Sequence, residues 1–185
     1  VFDGDTVVCE KTLKAKDEIE IADAKLWSPE NPFLYDFVLE LSKDGEVSDS
    51  VKGYFGMRKY SIGEYGGYKR LFLNNEPYFQ RGLLDQGYWS DGMYTAPHDD
   101  ALIYDIQTMK DLGFNTLRKH IKVEPQQFYY DCDRLGMVVF QDMVNNGDYS
   151  FFRDTALPTV GVQKLSDKKL HKDPVTRQRF LDGMA

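Results

Sequence analysis

The sequence predicts antiparallel β-structure over about residues 1–65, followed by a parallel α/β segment. In the first part, short runs alternate between apolar and polar residues, which is typical of strands with one buried face. From residue 71 onward, apolar strand-like runs alternate with helical patterns, and each helical pattern closes on a glycine. Strands joined by helices of this length are parallel, with right-handed crossovers.

The antiparallel part shows its clearest pattern between residues 35 and 62. Tyr35–Leu41 alternates apolar with polar residues, and Val47–Ile62 resumes an alternating, aromatic-rich pattern. Asp44 and Gly45 lie between the two runs, and an Asp-Gly pair in that place is a hairpin signal. Ile19–Ile21 is a further short strand candidate. Gly63–Gly67 is interpreted as the joint to the α/β segment, so the whole first part resembles β-sandwich material.

The α/β segment contains three predicted strands. Each is a short apolar run with little alternation, as expected for a strand buried on both faces. They are Tyr78–Leu84, Phe114–Ile121 and Met137–Phe140. The working face of such a unit lies at the carboxyl ends of its strands, so candidate functional residues should be sought there.

Two helices separate these strands, and each carries one apolar face. Asp99 and Asp100 suit the amino terminus of the first helix, where negative charge is favourable. Pro125 fits the first turn of the second helix. Gly113 and Gly136 are predicted left-handed caps. The apolar faces consist of Leu102, Ile106, Met109 and Leu112 in the first helix, and of Phe128, Cys132 and Leu135 in the second.

Composition excludes several classes of protein. The chain has 185 residues and 42% hydrophobic residues, enough for one large or two small cores. Its 30 acidic and 23 basic residues give a net charge of −7, without a basic block, which argues against nucleic acid or a membrane as partner. Its two cysteines, Cys9 and Cys132, indicate neither a disulfide framework nor a zinc site.

Several motifs, taken in order, resemble the signatures of glycoside hydrolase family 2. The resemblance covers about residues 20 to 145, and the succession of motifs makes it specific. The motifs are Leu26–Tyr35 (LWSPENPFLY), Phe55–Arg58 (FGMR), Leu73–Gly82 (LNNEPYFQRG), Leu112–Arg118 (LGFNTLR), Tyr130–Gly136 (YDCDRLG) and Phe140–Met143 (FQDM).

The resemblance implies a multidomain β plus α/β fold. The family contains β-galactosidases, β-glucuronidases and β-mannosidases, built from a sugar-binding-type sandwich, an immunoglobulin-like sandwich and a (β/α)8 barrel. Residues 1–65 would be the later part of the immunoglobulin-like β-sandwich, with the rest of that domain upstream of Val1. Residues 66–185 would be the first three βα units of the TIM barrel, ending inside a third helix that begins at Asp173 and Pro174.

Members of the family are retaining enzymes that use two glutamates about 5 to 5.5 Å apart. By resemblance, the acid/base follows the fourth barrel strand and the nucleophile lies near the seventh. This chain has three predicted strands and lacks both glutamates, which implies a fragment of a retaining exo-β-glycosidase, inactive by itself. The alternative is a noncatalytic carbohydrate-binding or structural module of the same architecture.

Six residues at the predicted strand ends are candidates for binding the carbohydrate substrate. They are Asp85, Gln86 and Trp89 after the first strand, Arg118 and His120 at the second, and Asp142 at the third. By resemblance, Arg118 matches an active-site position of the family and Asp142 matches a carboxylate position more loosely. Gln86 and Ile121 fall where the galactosidase form of the motif has histidines, which puts galactose specificity in doubt.

Each candidate has a structural alternative. Asp85 and Asp142 could instead cap loops, or form ion pairs with Arg81 and Arg118 that stabilise the strand ends. Trp89 could pack in the core, and His120 has no partner histidine at metal-ligand spacing. Outside the six, Glu124 resembles a helix start, with a place facing the pocket as its alternative, and the Lys164–Lys172 stretch resembles a solvated loop.

The resemblance implies no organic cofactor. Some members of the family bind a divalent ion near the site, but the sequence contains no ligand cluster to support one. A three-stranded part of a barrel leaves an edge and an inner face open. We therefore expect the remainder of the parent chain or neighbouring copies to cover Val138 and Phe140.

Overall fold

The computed structural model describes residues 1–14, 16–144, 150–162 and 172–184. Within these residues, strands β1 to β10 form three sheets. Two sheets are antiparallel and come first in the chain, and the third is parallel and is built around two helices. The predicted order of antiparallel structure before α/β structure is therefore confirmed.

The first sheet has the strand order β2-β1-β3-β4. Its strands are β1 (Phe2–Asp3), β2 (Thr6–Val7), β3 (Tyr35–Lys43) and β4 (Glu46–Phe55). Asp44 and Gly45 form the two-residue turn of the β3–β4 hairpin, with φ angles of 54° and 87°. That turn requires two positive φ angles, which Asp-Gly supplies, so the hairpin prediction is confirmed. The strand predicted at Ile19–Ile21 is wrong, because this run is short and pairs with no strand in the described residues.

The second sheet is a hairpin with a short third strand, in the order β5-β6-β7. Its strands are β5 (Tyr60–Tyr65), β6 (Tyr68–Leu73) and β7 (Glu76–Pro77). Gly66 and Gly67, both at positive φ, form the turn between β5 and β6. The segment Gly63–Gly67 is therefore part of a hairpin rather than a joint. The boundary predicted between residues 65 and 66 falls in this turn, and the division into domains stays a prediction.

The third sheet is parallel, in the order β10-β9-β8. Its strands β8 (Gly82–Asp85), β9 (Thr116–Lys119) and β10 (Val138–Gln141) are connected by helices α1 (Asp99–Asp111) and α2 (Gln126–Leu135). The predicted strand–helix alternation is confirmed. The first strand begins later than the predicted Tyr78, because the Tyr78 N–H still donates to the Leu71 carbonyl of the preceding hairpin.

Both helices pack their apolar faces on one core. Gly113 and Gly136 have φ angles of 89° and 78°, which confirms the predicted left-handed conformation at the helix ends. Leu112, however, is 70% exposed, so its assignment to the buried face is wrong. It caps α1 with a backbone that is still helical, and its position in the turn directs the side chain away from the face of Leu102 and Ile106. The core consists of Leu102, Ile106, Leu117, Phe128, Cys132 and Met137.

A second, smaller core joins the parallel sheet to the earlier part of the chain. Trp27, Leu73 and Val138 are buried against one another. Val138 is thus covered within this chain, contrary to the expectation that other chains cover it, because Trp27 from the segment before β3 fills that place. Phe140 is 41% exposed and retains an open face.

Asp133 of α2 anchors this joint through three hydrogen bonds. Its carbonyl oxygen accepts from Trp27 Nε1 at 2.7 Å, and its carboxylate accepts from Arg58 and from the Tyr54 hydroxyl. Arg58 also lies over the Trp27 ring, 4.4 Å from its centroid. Burial, together with the Asp133 charge, raises the pKa of Tyr54 to about 12, so the phenol remains a donor at neutral pH.

The carboxyl-terminal part of the described chain is helical. A π-helical turn (Phe152–Ala156) runs into α3 (Leu157–Thr159), and α4 covers Pro174–Asp182. Asp173 caps α4 by accepting a hydrogen bond from the Thr176 N–H, which confirms the predicted start of this helix. All but Lys172 of the predicted Lys-rich loop lies outside the described residues. None of the described helices has the length and apolar character needed to cross a membrane.

Candidate active-site rim

Strand register divides the candidate residues between the two faces of the parallel sheet. Side chains alternate between faces along each strand, so residues in register share a face. Asp85, Lys119 and Gln141 are in register, and so are Leu84, Arg118 and Phe140. Lys119 lies 4.8 Å from the Phe128 ring centroid of α2, so the first of these rows faces the helices. Arg118 belongs to the opposite face, away from the helices.

Arg118 and Asp142 form a two-point ion pair at the carboxyl ends of β9 and β10. Arg118 Nε is 3.1 Å from Asp142 Oδ1, and Arg118 Nη2 is 3.0 Å from Asp142 Oδ2. The hydrogen bond from Arg118, with smaller contributions from its charge and from His120, lowers the pKa of Asp142, and the same pair raises the pKa of Arg118. Arg118 remains 58% exposed, so the pair presents charged hydrogen-bonding groups to solvent near neutral pH.

His120 lies at the point where the strands β8 and β9 end. Its backbone N–H donates to the Asp85 carbonyl at 2.8 Å, which extends the hydrogen bonding between β8 and β9 by one bond. Its side chain is half-buried and contributes to the lowered pKa of Asp142. The next residue, Ile121, has a φ of 46°, so the chain turns sharply after His120.

On the helix face, Lys119, whose side chain is 1% exposed, forms a cluster with three other charged residues. Lys119 Nζ is 2.9 Å from Asp85 Oδ2 and also pairs with Glu124. Lys122 Nζ lies 2.8 Å from the same Glu124 Oε1. We call Asp85, Lys119, Lys122 and Glu124 the Lys119 cluster. Of the suggested structural roles, the pairing of Asp142 with Arg118 is confirmed, whereas Asp85 pairs with Lys119 rather than with an arginine, because it faces the helices and Lys119 lies beside it.

Gly87 lies directly on the Lys119 cluster. Its N–H donates to Asp85 Oδ1 and its carbonyl accepts from Lys122 Nζ, both at 2.8 Å. Gly87 has a φ of 61°, and a Cβ atom built on it would lie 2.5 Å from Glu124 Oε1 and 2.7 Å from Lys119 Nζ. Glycine is favoured at this position, because the backbone conformation strains other residues and a Cβ would push the charged groups of the cluster aside.

Gln86 and Trp89 flank Gly87 and contribute to a cavity of about 590 Å³ between the loop after β8 and α1. Gln86 is exposed, whereas Trp89 is half-buried and packs on the main core. The Trp89 indole N–H is buried without an acceptor in the described part of the chain. Asp105 also lines the cavity, and burial raises its pKa. Neither Arg118 nor Asp142 lines this cavity, so the predicted rim residues do not form a single pocket.

Sequence reasoning missed the role of Lys119, and for Glu124 it offered a helix start or a place facing the pocket rather than a pairing with Lys119. A lysine side chain is normally exposed to solvent, so the residue type at position 119 did not indicate a buried side chain. The available signal was position: Lys119 follows the buried Leu117 by two residues and so shares its face.

Comparison with known proteins gives the family. A family model described as "Glycosyl hydrolases family 2" matches residues 3–58. A "Putative beta-glucuronidase" of Formosa agariphila is 30% identical over 128 residues, and a "Beta-galactosidase" of Oenococcus oeni is 32% identical over 126 residues. The chain belongs to glycosyl hydrolases family 2. These matches cover 68% of this family 2 chain but only 12% of each relative, so the chain spans about an eighth of their length.

Solved structures of similar proteins agree with this family 2 assignment. The apo structure of Bacteroides uniformis beta-glucuronidase 3 has a TM-score of 0.57 and 26% identity, with 68% of this chain and 15% of that chain covered. A beta-glycosidase from Bacteroides vulgatus has a TM-score of 0.60 and 27% identity, with 66% and 16% covered. The resemblance found in the sequence is thus confirmed.

The motifs that carry the family 2 resemblance meet mainly at the amino ends of the parallel strands. Asn74 Nδ2 donates to the Trp27 carbonyl, and Asn115 Nδ2 donates to the Tyr78 hydroxyl. Lys110 Nζ bridges the carbonyl oxygens of Pro29 and Gly136. These contacts hold the Leu26–Tyr35 motif against α1 and α2. Arg118 and the Phe140–Met143 motif, which contains Asp142, lie at the other end.

Proposed function

We propose that this chain is a segment of a retaining exo-acting β-glycosidase, β-galactosidase-like, that hydrolyses O-glycosidic bonds in carbohydrates. The observation that carries the proposal is the Arg118–Asp142 pair. It lies at the carboxyl ends of neighbouring parallel strands, on the face away from the helices, in a chain of family 2. That is where a (β/α)8 enzyme has its active site.

We further propose that the parallel segment is the first part of a (β/α)8 barrel, and that residues before it belong to an immunoglobulin-like sandwich. The parallel order β8-β9-β10 supports the barrel, as do the helices on one face. The antiparallel sheet that contains the β3–β4 hairpin supports the sandwich. Because β5 and β6 pair across residues 65 and 66, we place the boundary before Tyr60.

In this proposal the chain binds and orients the sugar but does not cleave it. The acid/base and nucleophile glutamates would come from later strands of the parent protein, beyond this chain. Arg118 would donate to sugar hydroxyls while Asp142 holds its guanidinium in place and accepts from neighbouring hydroxyls. Gln86 and His120 stand at adjacent strand ends and are the further contact candidates. Asp85 is assigned a structural role because Lys119 occupies its carboxylate.

For Trp89 we favour the packing role over sugar stacking. Its ring packs on the main core and lines the cavity beside α1, to which Arg118 does not contribute. Aromatic residues that bind sugars need an exposed ring face, and Trp89 is half-buried.

A panel of 4-nitrophenyl β-glycosides, applied to the parent protein, tests the proposal. We expect hydrolysis of at least one β-galactoside, β-glucuronide or β-mannoside. Arg118→Ala should lower kcat/KM about 100-fold, because the group that orients the sugar is lost. Its melting temperature should fall only slightly, since an ion pair at this degree of exposure contributes little to stability. Arg70→Ala, which removes an exposed arginine from β6, is the matched control.

Three outcomes would overturn parts of the proposal. A parent protein that binds a sugar but hydrolyses no glycoside would favour the noncatalytic module. Full activity of Arg118→Ala would remove the assigned site while leaving the reaction intact. Hydrolysis by this 185-residue chain in pure form would contradict the placement of both glutamates outside it.

A further inference from the structure

The Lys119 cluster joins two loops at the carboxyl ends of the parallel strands. Asp85 ends β8, whereas Lys122 and Glu124 lie in the connection from β9 to α2. Lys119 is 1% exposed and the Glu124 side chain 3%, so neither charge is solvated. Buried charges are tolerated only when they are paired, and removing one partner leaves the other uncompensated. The pairing therefore holds the two loops at a fixed separation.

The charges in this cluster balance. Two lysines face two carboxylates, and each carboxylate has at least one ammonium partner within 3 Å. Asp105 lies close to the cluster: burial has the largest effect on its pKa and raises it, Asp85 raises it further, and Lys119 lowers it. We therefore look for the role of the cluster in the backbone segment that it contacts.

The cluster holds the backbone of the loop after β8. Asp85 binds Lys119 through one carboxylate oxygen and the Gly87 N–H through the other. Lys122 binds the Gly87 carbonyl. Gln86 lies between Asp85 and Gly87, so both of its chain neighbours are fixed while its own side chain is exposed.

We propose that Lys119 and Lys122 are positioning residues that fix Gln86, and the segment up to Trp89, against the bound sugar. This inference rests on the proposed glycosidase function. An exposed side chain on a loop contributes little to binding unless its backbone is held in advance, and the cluster provides that restraint from the opposite face of the sheet. The proposal assigns a functional role to charged residues that do not themselves contact the substrate.

Lys122→Met in the parent protein is the main test, and Lys122→Arg is the conservative variant. Lys122 is 12% exposed, so its replacement disturbs the core less than replacement of Lys119. We expect Lys122→Met to raise KM at least about fivefold with kcat changed less than about twofold, because substrate binding is weakened. Lys122→Arg should restore most of the loss. Lys69→Met, which removes an exposed strand lysine, should leave KM unchanged.

Hydrogen exchange provides a readout that does not depend on activity. The amide hydrogens of residues 86–93 should exchange at least about tenfold faster in Lys122→Met, whereas those of α2 should not. Gly87→Ala should accelerate the same segment, because its Cβ would displace the cluster.

The outcomes separate the two proposals. Faster exchange with an unchanged KM in an active enzyme would overturn the positioning role and leave the cluster a purely structural device. Unchanged exchange in residues 86–93 would overturn the anchoring itself. If the wild-type parent hydrolyses no glycoside and binds no sugar, the proposed function fails and the substrate role assigned to Lys122 fails with it. Accelerated exchange would then support only the anchoring of the loop.

Discussion

Replacing Gly136 with alanine should destabilise this chain much more than the same change at Gly113. Both glycines follow a helix in the left-handed conformation, with φ angles of 78° and 89°. Their surroundings differ. A Cβ at Gly113 would meet no atom within 4 Å, whereas a Cβ at Gly136 would overlap the Pro29 carbonyl oxygen and lie 2.8 Å from Lys110 Nζ.

The magnitude follows from these surroundings. The left-handed conformation costs a non-glycine residue about 1 kcal/mol, which is the whole effect expected at Gly113. At Gly136, the Pro29 segment must also move away. This movement disrupts the hydrogen bonds from Lys110 to the Pro29 and Gly136 carbonyl oxygens, at 2.8 and 3.2 Å. A hydrogen bond to a charged group contributes about 1.5 to 3 kcal/mol; because both bonds come from one half-buried ammonium, we take about 2 kcal/mol for the two together, which with about 1 kcal/mol for the backbone gives a total loss of about 3 kcal/mol.

Urea unfolding followed by circular dichroism at 222 nm measures both variants. The free energy of unfolding should fall by about 1 kcal/mol for Gly113→Ala and by about 3 kcal/mol for Gly136→Ala. Equal losses in the two variants would refute the reasoning, because they would show that conformation alone sets the requirement for glycine. Lys110→Met in the Gly136→Ala background should then cause little further loss, since the bonds are already broken.

Three further predictions concern other parts of the chain. Arg118→Ala should raise the pKa of Asp142 towards its ordinary value, which carbon-detected NMR titration of the carboxyl group would show, and an unchanged titration would contradict the ion pair. The small stabilisation from this pair is present at neutral pH and is lost as the pH falls through the lowered pKa of Asp142. Burial raises the pKa of the Cys132 thiol, so at pH 8 a thiol reagent should modify Cys9 but should modify Cys132 only after denaturant is added. Equal rates of modification in the native protein would contradict this burial. Trp27→Phe removes an indole donor at a fully buried site and should lower the free energy of unfolding by about 1 to 2 kcal/mol in urea; a loss near zero would show that this hydrogen bond contributes nothing net.

Local chemistry made several elements predictable from the sequence. Asp44-Gly45 supplies the two positive φ angles that a tight hairpin needs, and the structure has that turn. The spacing of Leu102 and Ile106 gave the buried face of α1, and Gly136 gave the end of α2. In each case a property of neighbouring residues determines the structure, so no distant contact had to be known.

Other elements depended on contacts that the local sequence does not show. The strand at Tyr78 starts later than predicted because the backbone there pairs with Leu71 of the preceding hairpin. Val138 was expected to need cover from another chain, and Trp27, 111 positions earlier in the sequence, covers it instead. Lys119 was overlooked at the candidate site because its burial depends on carboxylates that come from two different loops.

The separation between the two ends of the parallel sheet has a consequence for redesign. Most of the motif residues that identify the family hold the Leu26–Tyr35 segment against the helices at the amino ends of the parallel strands. Arg118 and Asp142 lie at the carboxyl ends. We therefore expect that loops after the strands can be exchanged between relatives without disturbing the contacts between the Leu26–Tyr35 segment and the helices. Under the proposed function, grafting the loop that carries Gln86 together with Lys119 and Lys122 should alter selectivity.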